Sequence, residues 1–64
     1  MRPKADIPEQ EIAGQIIEGK TNDEIGRVIN RKKKTVDDYI HRLLRKYGCR
    51  NRTELAVNIL GLNL

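Results

Sequence analysis

Aromatic side chains are almost missing from the chain: 64 residues include two tyrosines and neither tryptophan nor phenylalanine. Any core must therefore come from Ile, Leu, Val and Ala. A lone cysteine, Cys49, excludes an intramolecular disulfide, and with a single histidine, His41, it excludes a structural zinc site. The same scarcity argues against an enzyme, because one His, one Cys and no clustered acid and base leave no catalytic set; no cofactor or metal is expected. No apolar run approaches the ~20 residues of a membrane span. The opening Met1-Arg2-Pro3-Lys4-Ala5-Asp6 has no apolar segment behind it to act as a signal peptide. These absences lead to the expectation of a cytoplasmic protein of bacterial or phage origin, with no part in a membrane.

Length sets the next bound. At 64 residues the chain is read as one domain over 1–64. A domain of this size buries only about 60% of the surface its unfolded chain exposes, so the core is thin and a partner would help stabilise it.

Charge is plentiful and uneven. The net charge is +4. Residues 1–30 carry four basic and six acidic side chains, whereas residues 31–64 carry nine basic and three acidic. Such an asymmetry suits one face turned to a polyanion, although solvated charge is also common on small domains.

Helical periodicity runs through most of the sequence and no stretch alternates like a strand, so the fold class is all-α with four helices. The first is expected to start at a capping box, Asp6-x-x-Glu9, with Pro8 in its first turn and Gly19 at its end. Its buried stripe is Ile12, Ala13, Ile16 and Ile17. A second box, Thr21-x-x-Glu24, opens a helix that turns Ile25, Val28 and Ile29 inward. Gly26 lies in mid-helix, where a small residue would let another helix approach. Asn30 and the run Arg31-Lys32-Lys33-Lys34 form a turn. A third helix is expected from about Lys33 to Tyr47, with Val36, Ile40, Leu43, Leu44 and Tyr47 as its apolar stripe and Gly48 as its stop. A third box, Asn51-x-x-Glu54, opens a fourth helix that ends near Gly61.

The third helix separates two chemistries. At about 100° per residue, Lys34, Asp37, Asp38, His41 and Arg45 share one arc opposite the stripe. Thr35, Arg42 and Lys46 flank that arc. Its start is unusual, because a helix N-terminus favours acids or anions and here Arg31, Lys32, Lys33 and Lys34 gather instead. A phosphate docked there would be held by free N–H groups, the helix dipole and the lysines together. A helix of this length fits the major groove, where its side chains reach base edges.

Three pieces of the sequence resemble one family in register. Glu18-Gly19-Lys20-Thr21-Asn22-Asp23-Glu24-Ile25-Gly26 is similar to the E-G-x-[ST]-N-x-E-I-A segment of LuxR/FixJ-type helix-turn-helix domains. Lys34-Thr35-Val36 resembles their K-T-V opening of the recognition helix. Leu44-Arg45-Lys46-Tyr47-Gly48-Cys49-Arg50-Asn51-Arg52 resembles L-x-K-L-G-V-x-x-R. The likeness covers about residues 6–60.

The resemblance implies a four-helix LuxR-type helix-turn-helix domain: a winged-helix-like three-helix core plus a C-terminal helix that supplies a homodimer contact. It implies transcriptional regulation through double-stranded DNA, by a free-standing version of the domain or a fragment of a longer regulator. Thr35 and Lys46 would hold phosphates, with Lys32, Lys33, Lys34, Arg42 and Arg45 adding to them, while the positions of Asp37, Asp38 and His41 would face bases. The two aspartates depart from the family, which favours a basic residue at the first of these positions. They could accept from cytosine, pair with His41 and Arg42 along the helix, or meet a protein. Lys32 also replaces the usual Ser/Thr cap.

Several side chains are left with two readings. His41 serves as a contact or as a plain surface residue. Cys49 is expected as a small buried hydrophobe and Tyr39 and Tyr47 as packing residues. Arg52 would touch a phosphate or pair with an acid on the first helix. Apolar residues on the fourth helix exceed one face, so Val57, Leu60, Leu62 and Leu64 are the expected dimer interface, unless that helix simply folds down over the first. A rival function keeps the fold and makes it a protein-interaction module, in which Asp37, Asp38 and the C-terminal leucines engage another regulator or RNA polymerase.

Overall fold

A computed structural model describes residues 7–62 as four helices: α1 (Glu9–Ile17), α2 (Asn22–Ile29), α3 (Lys33–Tyr47) and α4 (Arg52–Leu60). The third is the longest and has the bounds its periodicity implied. Stops expected at Gly19, Gly48 and Gly61 hold, each with a positive φ. Asn30 closes α2 in the left-handed conformation, at φ 61° and ψ 49°, which Asn tolerates better than most residues.

The caps follow the sequence in part. Thr21 and Glu24 form the full reciprocal box: Glu24 N–H donates to the Thr21 hydroxyl at 3.2 Å, and Thr21 N–H donates to Glu24 Oε1 at 2.8 Å. At α4 the box is displaced by one residue. Asn51 Oδ1 accepts from Glu54 N–H at 2.8 Å, but the Glu54 carboxylate accepts from Arg50 N–H, also at 2.8 Å. The expectation for α1 needs correction. Asp6 lies outside the described residues, and Pro8 is the N-cap residue itself, with no side-chain cap bond. Glu9 turns its carboxylate to Lys46 and Tyr47 instead.

All four helices feed one aliphatic core of Ile12, Ala13, Ile16, Ile25, Val36, Ile40, Leu43, Leu55 and Ala56. No polar or charged residue among those described is fully buried. α4 lies along α1, α2 packs on α3, and a smaller contact joins α3 to α4. Two residues of the expected stripes leave the core. Ile17 is 46% exposed, because it lies beyond the face of α1 that α4 covers, and Val28 is 50% exposed. On α2 the buried face runs through Ile25 and Gly26, with Ile29 at its edge; Val28 is turned off it.

Gly26 does permit a close approach, but by the turn and not by another helix. A Cβ there would strike the Arg31 carbonyl oxygen, while Arg31 N–H donates back to the Gly26 carbonyl at 2.7 Å. The turn between α2 and α3 is thus folded tightly onto α2, and this fixes where α3 begins.

Candidate nucleic-acid interface

The start of α3 is bare. Lys32 is its N-cap residue, extended at φ −71° and ψ 151°, and it makes no side-chain cap bond; no acid occupies the first turn. The first backbone bond into the helix is Val36 N–H to the Lys32 carbonyl, at 3.1 Å. The N–H groups of Lys33, Lys34 and Thr35 are the donors that any helix start leaves over. They sit among exposed Arg31, Lys32, Lys33, Lys34 and Thr35, a combination of dipole and cations that favours an anion.

Farther along α3, Asp38, His41, Arg42 and Arg45 are exposed. Neither i, i+4 pairing considered for the aspartates forms. Asp38 makes no ion pair with Arg42 among the described residues, and Asp37 is engaged elsewhere. Its Oδ1 accepts from Asn22 Nδ2 at 2.5 Å, and its Oδ2 lies 3.1 Å from Lys33 Nζ. The bond from Asn22, and after it the Lys33 ammonium, holds the Asp37 carboxyl below the ordinary carboxylate range. Asn22 is the first residue of α2, so this contact ties the start of one helix to the first turns of the next. Asn22 stood in the E-G-x-[ST]-N segment without a role; nothing in its spacing linked it to Asp37, 15 positions on.

The far end of α3 is also tied down. Lys46 Nζ lies 2.7 Å from Glu9 Oε2, and the Tyr47 hydroxyl donates to Glu9 Oε1. Lys46 keeps a side-chain exposure of 60%, so its ammonium stays open to solvent on one side. Hydrogen bonds from Lys46 and then Tyr47 hold the Glu9 carboxyl below its ordinary range, against a smaller opposing push from burial. The same contact raises Lys46 and Tyr47 above theirs.

Residues 8–59 match the family model described as "Bacterial regulatory proteins, luxR family". The chain belongs to the LuxR family. That family is one of helix-turn-helix, DNA-binding regulatory proteins. It is similar to the "Probable transcriptional regulator ycf29" of Pyropia yezoensis, 36% identical over 56 residues, which is 88% of this chain and 25% of the relative. The chain therefore spans about a quarter of that curated relative's length. No solved structure matches the chain at a significant level.

On this LuxR-family framework the remaining side chains find their places. Arg52 makes no ion pair with an acid of α1 among the described residues: its guanidinium donates to the Lys20 carbonyl at 3.3 Å, holding α4 to the α1–α2 turn. Tyr39 and Tyr47 pack against the core as expected. Their hydroxyls were not foreseen as ties, yet Tyr39 donates to the Ile7 carbonyl as Tyr47 does to Glu9. Cys49 is half-buried, not buried, with Asn58 Nδ2 3.5 Å from its Sγ. α4 does fold down over α1, burying Leu55 and Ala56 fully. Of the residues expected at a dimer contact, Val57 and Leu60 are half-buried and Leu62 is 41% exposed; Leu64 lies outside the described residues. No helix among the described residues is long and apolar enough to cross a membrane.

Proposed function

We propose that the chain recognises duplex DNA by laying α3 in the major groove. Lys32, Lys33, Lys34, Thr35, Arg42, Arg45 and Lys46 take phosphates, and Asp38 and His41 face base edges, while Asp37 is held by Asn22 and Lys33. The observation that carries the reading is the uncapped start of α3, where free N–H groups and three consecutive lysines converge with no acid in the helix's first turn. In the free protein that arrangement is unfavourable to folding, and a phosphate removes the conflict. The single domain works as a homodimer through α4, with Val57, Leu60 and Leu62 at the contact. Two recognition helices would then stand ~34 Å apart on successive turns of DNA. Such a regulator acts in the cytoplasm, where its DNA is.

The test is a titration of the protein with random-sequence duplex at two salt concentrations, followed by fluorescence anisotropy. Binding should weaken steeply as salt rises, with a log–log slope of about −0.9 per neutralised phosphate. Sedimentation of the chain and of Val57→Asp checks the dimer: the substitution should shift the population to monomer. One observation favours a second reading. Asp38 is exposed and unpaired among the described residues, and a carboxylate there repels phosphate. A module that uses Asp38 and α4 to engage another regulator would leave the anisotropy flat even at low salt.

A further inference from the structure

The two neighbouring aspartates of α3 are not equivalent, and the difference assigns one of them a base. Val36 is fully buried. At about 100° per residue, Asp37 stands a quarter-turn from that core direction, on the side where α2 packs. Both its oxygens are taken there by Asn22 and Lys33. Asp38 stands about 200° round, nearly opposite the core. It is exposed, and its carboxylate has no hydrogen bond or ion pair to another described residue. One turn to either side along the helix lie Lys34 and Arg42, exposed cations suited to the two phosphate walls of a groove.

We propose that Asp38 is the specificity-determining residue of this helix and reads cytosine, while Asp37 fixes α3 on α2 and reads nothing. This deepens the DNA reading above and rests on it. An ionised carboxylate only accepts hydrogen bonds. In the major groove guanine offers N7 and O6, both acceptors, and thymine offers the O4 acceptor beside a methyl group. Each of these repels Asp38. Adenine offers the N6 donor next to the N7 acceptor, so one half of the contact is adverse. Cytosine offers the N4 amino group alone. The carboxylate thus selects by rejection as much as by attraction, since a desolvated charge left without a donor is costly. Asp37 cannot compete for the role while Asn22 and Lys33 hold it.

The experiment is selection of preferred sites from a randomised duplex pool by the wild-type chain, Asp38→Asn and Asp37→Asn. Anisotropy with unselected duplex runs beside it, and circular dichroism checks that each variant folds. Wild-type sites should carry cytosine at one fixed position of the half-site, preferred by roughly tenfold or more over the other bases. Asp38→Asn should replace it by adenine, whose N6 and N7 suit an amide, and leave the other positions unchanged. Asp37→Asn should keep the cytosine. Wild-type binding with the same selected sequence for Asp38→Asn would overturn the assignment and leave the DNA reading intact. A base change caused by Asp37→Asn would transfer the role to Asp37 and overturn it too. Absence of wild-type binding to any duplex at low salt would overturn the DNA reading, and this assignment with it.

Discussion

Glu9 at the start of α1 and Lys46 near the end of α3, 37 positions apart, form an ion pair at 2.7 Å. The Tyr47 hydroxyl shares the same carboxylate. One acid therefore anchors the first residues of the fold to the C-terminal turn of the helix proposed to enter DNA.

That anchor makes stability depend on pH in two windows. The Glu9 and Asp37 carboxyls are depressed in the folded chain. Their contribution is present above the ordinary carboxyl value of ~4 and is lost as pH falls through the depressed folded values. Lys46 and Tyr47 are raised, each chiefly by Glu9. Their contribution is present below ~10 and is lost as pH rises through the raised folded values. Thermal midpoints should be level between the windows and fall on both flanks. Glu9→Gln should flatten the alkaline flank and part of the acid flank, with Asp37 keeping the remainder. An alkaline flank unchanged in Glu9→Gln would mean that the ion pair does not persist in solution.

Gly26→Ala should destabilise the chain although it improves helix propensity. Alanine gains ~1 kcal/mol over glycine in a helix interior. Here its methyl group meets the Arg31 carbonyl oxygen, and forcing backbone apart in a packed region costs ~1–3 kcal/mol. The net should be a loss, read as a fall of several degrees in melting temperature for a domain of this size. A rise in melting temperature would show that the turn relaxes freely.

The contrast between Gly26 and its neighbours shows what the sequence made legible. Features that depend on a few consecutive residues were readable: the Thr21–Glu24 box, the bounds of α3, the glycine stops, and the arc that keeps Lys34, Asp38, His41 and Arg45 away from the core. The width of each buried face was not, because it is set by the helix packed against it. Ile17 and Val28 fit the 3.6-residue period yet fall outside what α4 and α3 cover. Pairings between helices were also hidden. Asn22 with Asp37 and Glu9 with Lys46 are 15 and 37 positions apart, and only the packing of helices brings them together. That is why Lys33, Asp37 and Lys46 looked as free as Lys34 and Asp38.

The lysines at the start of α3 should not contribute equally to DNA. Lys33 is paired with Asp37 at 3.1 Å, whereas Lys34 is exposed and has no ion pair among the described residues. Lys34→Ala should weaken binding to unrelated duplexes alike and reduce the salt slope by about 0.9. Lys33→Ala should change the slope less, since its charge is already balanced. Equal slopes for the two variants would show that the Lys33–Asp37 pair opens on DNA.

Replacing Lys32 by serine should set folding against binding. Lys32 occupies an N-cap position with the extended backbone that a cap requires, but its side chain makes no cap bond. At α2 the same position holds Thr21, which accepts from Glu24 N–H. A serine hydroxyl at position 32 can likewise take one of the leftover N–H groups, and good caps stabilise by ~1 kcal/mol over residues that cannot accept. Lys32→Ser should therefore raise the melting temperature by several degrees. It also removes a cation and occupies a donor that a phosphate would use, so affinity for duplex DNA should fall and the salt slope should become shallower. A variant that melts higher and binds as well as the wild type would mean that phosphates do not reach the start of α3. One that melts lower would mean that the Lys32 stem packs usefully on the turn.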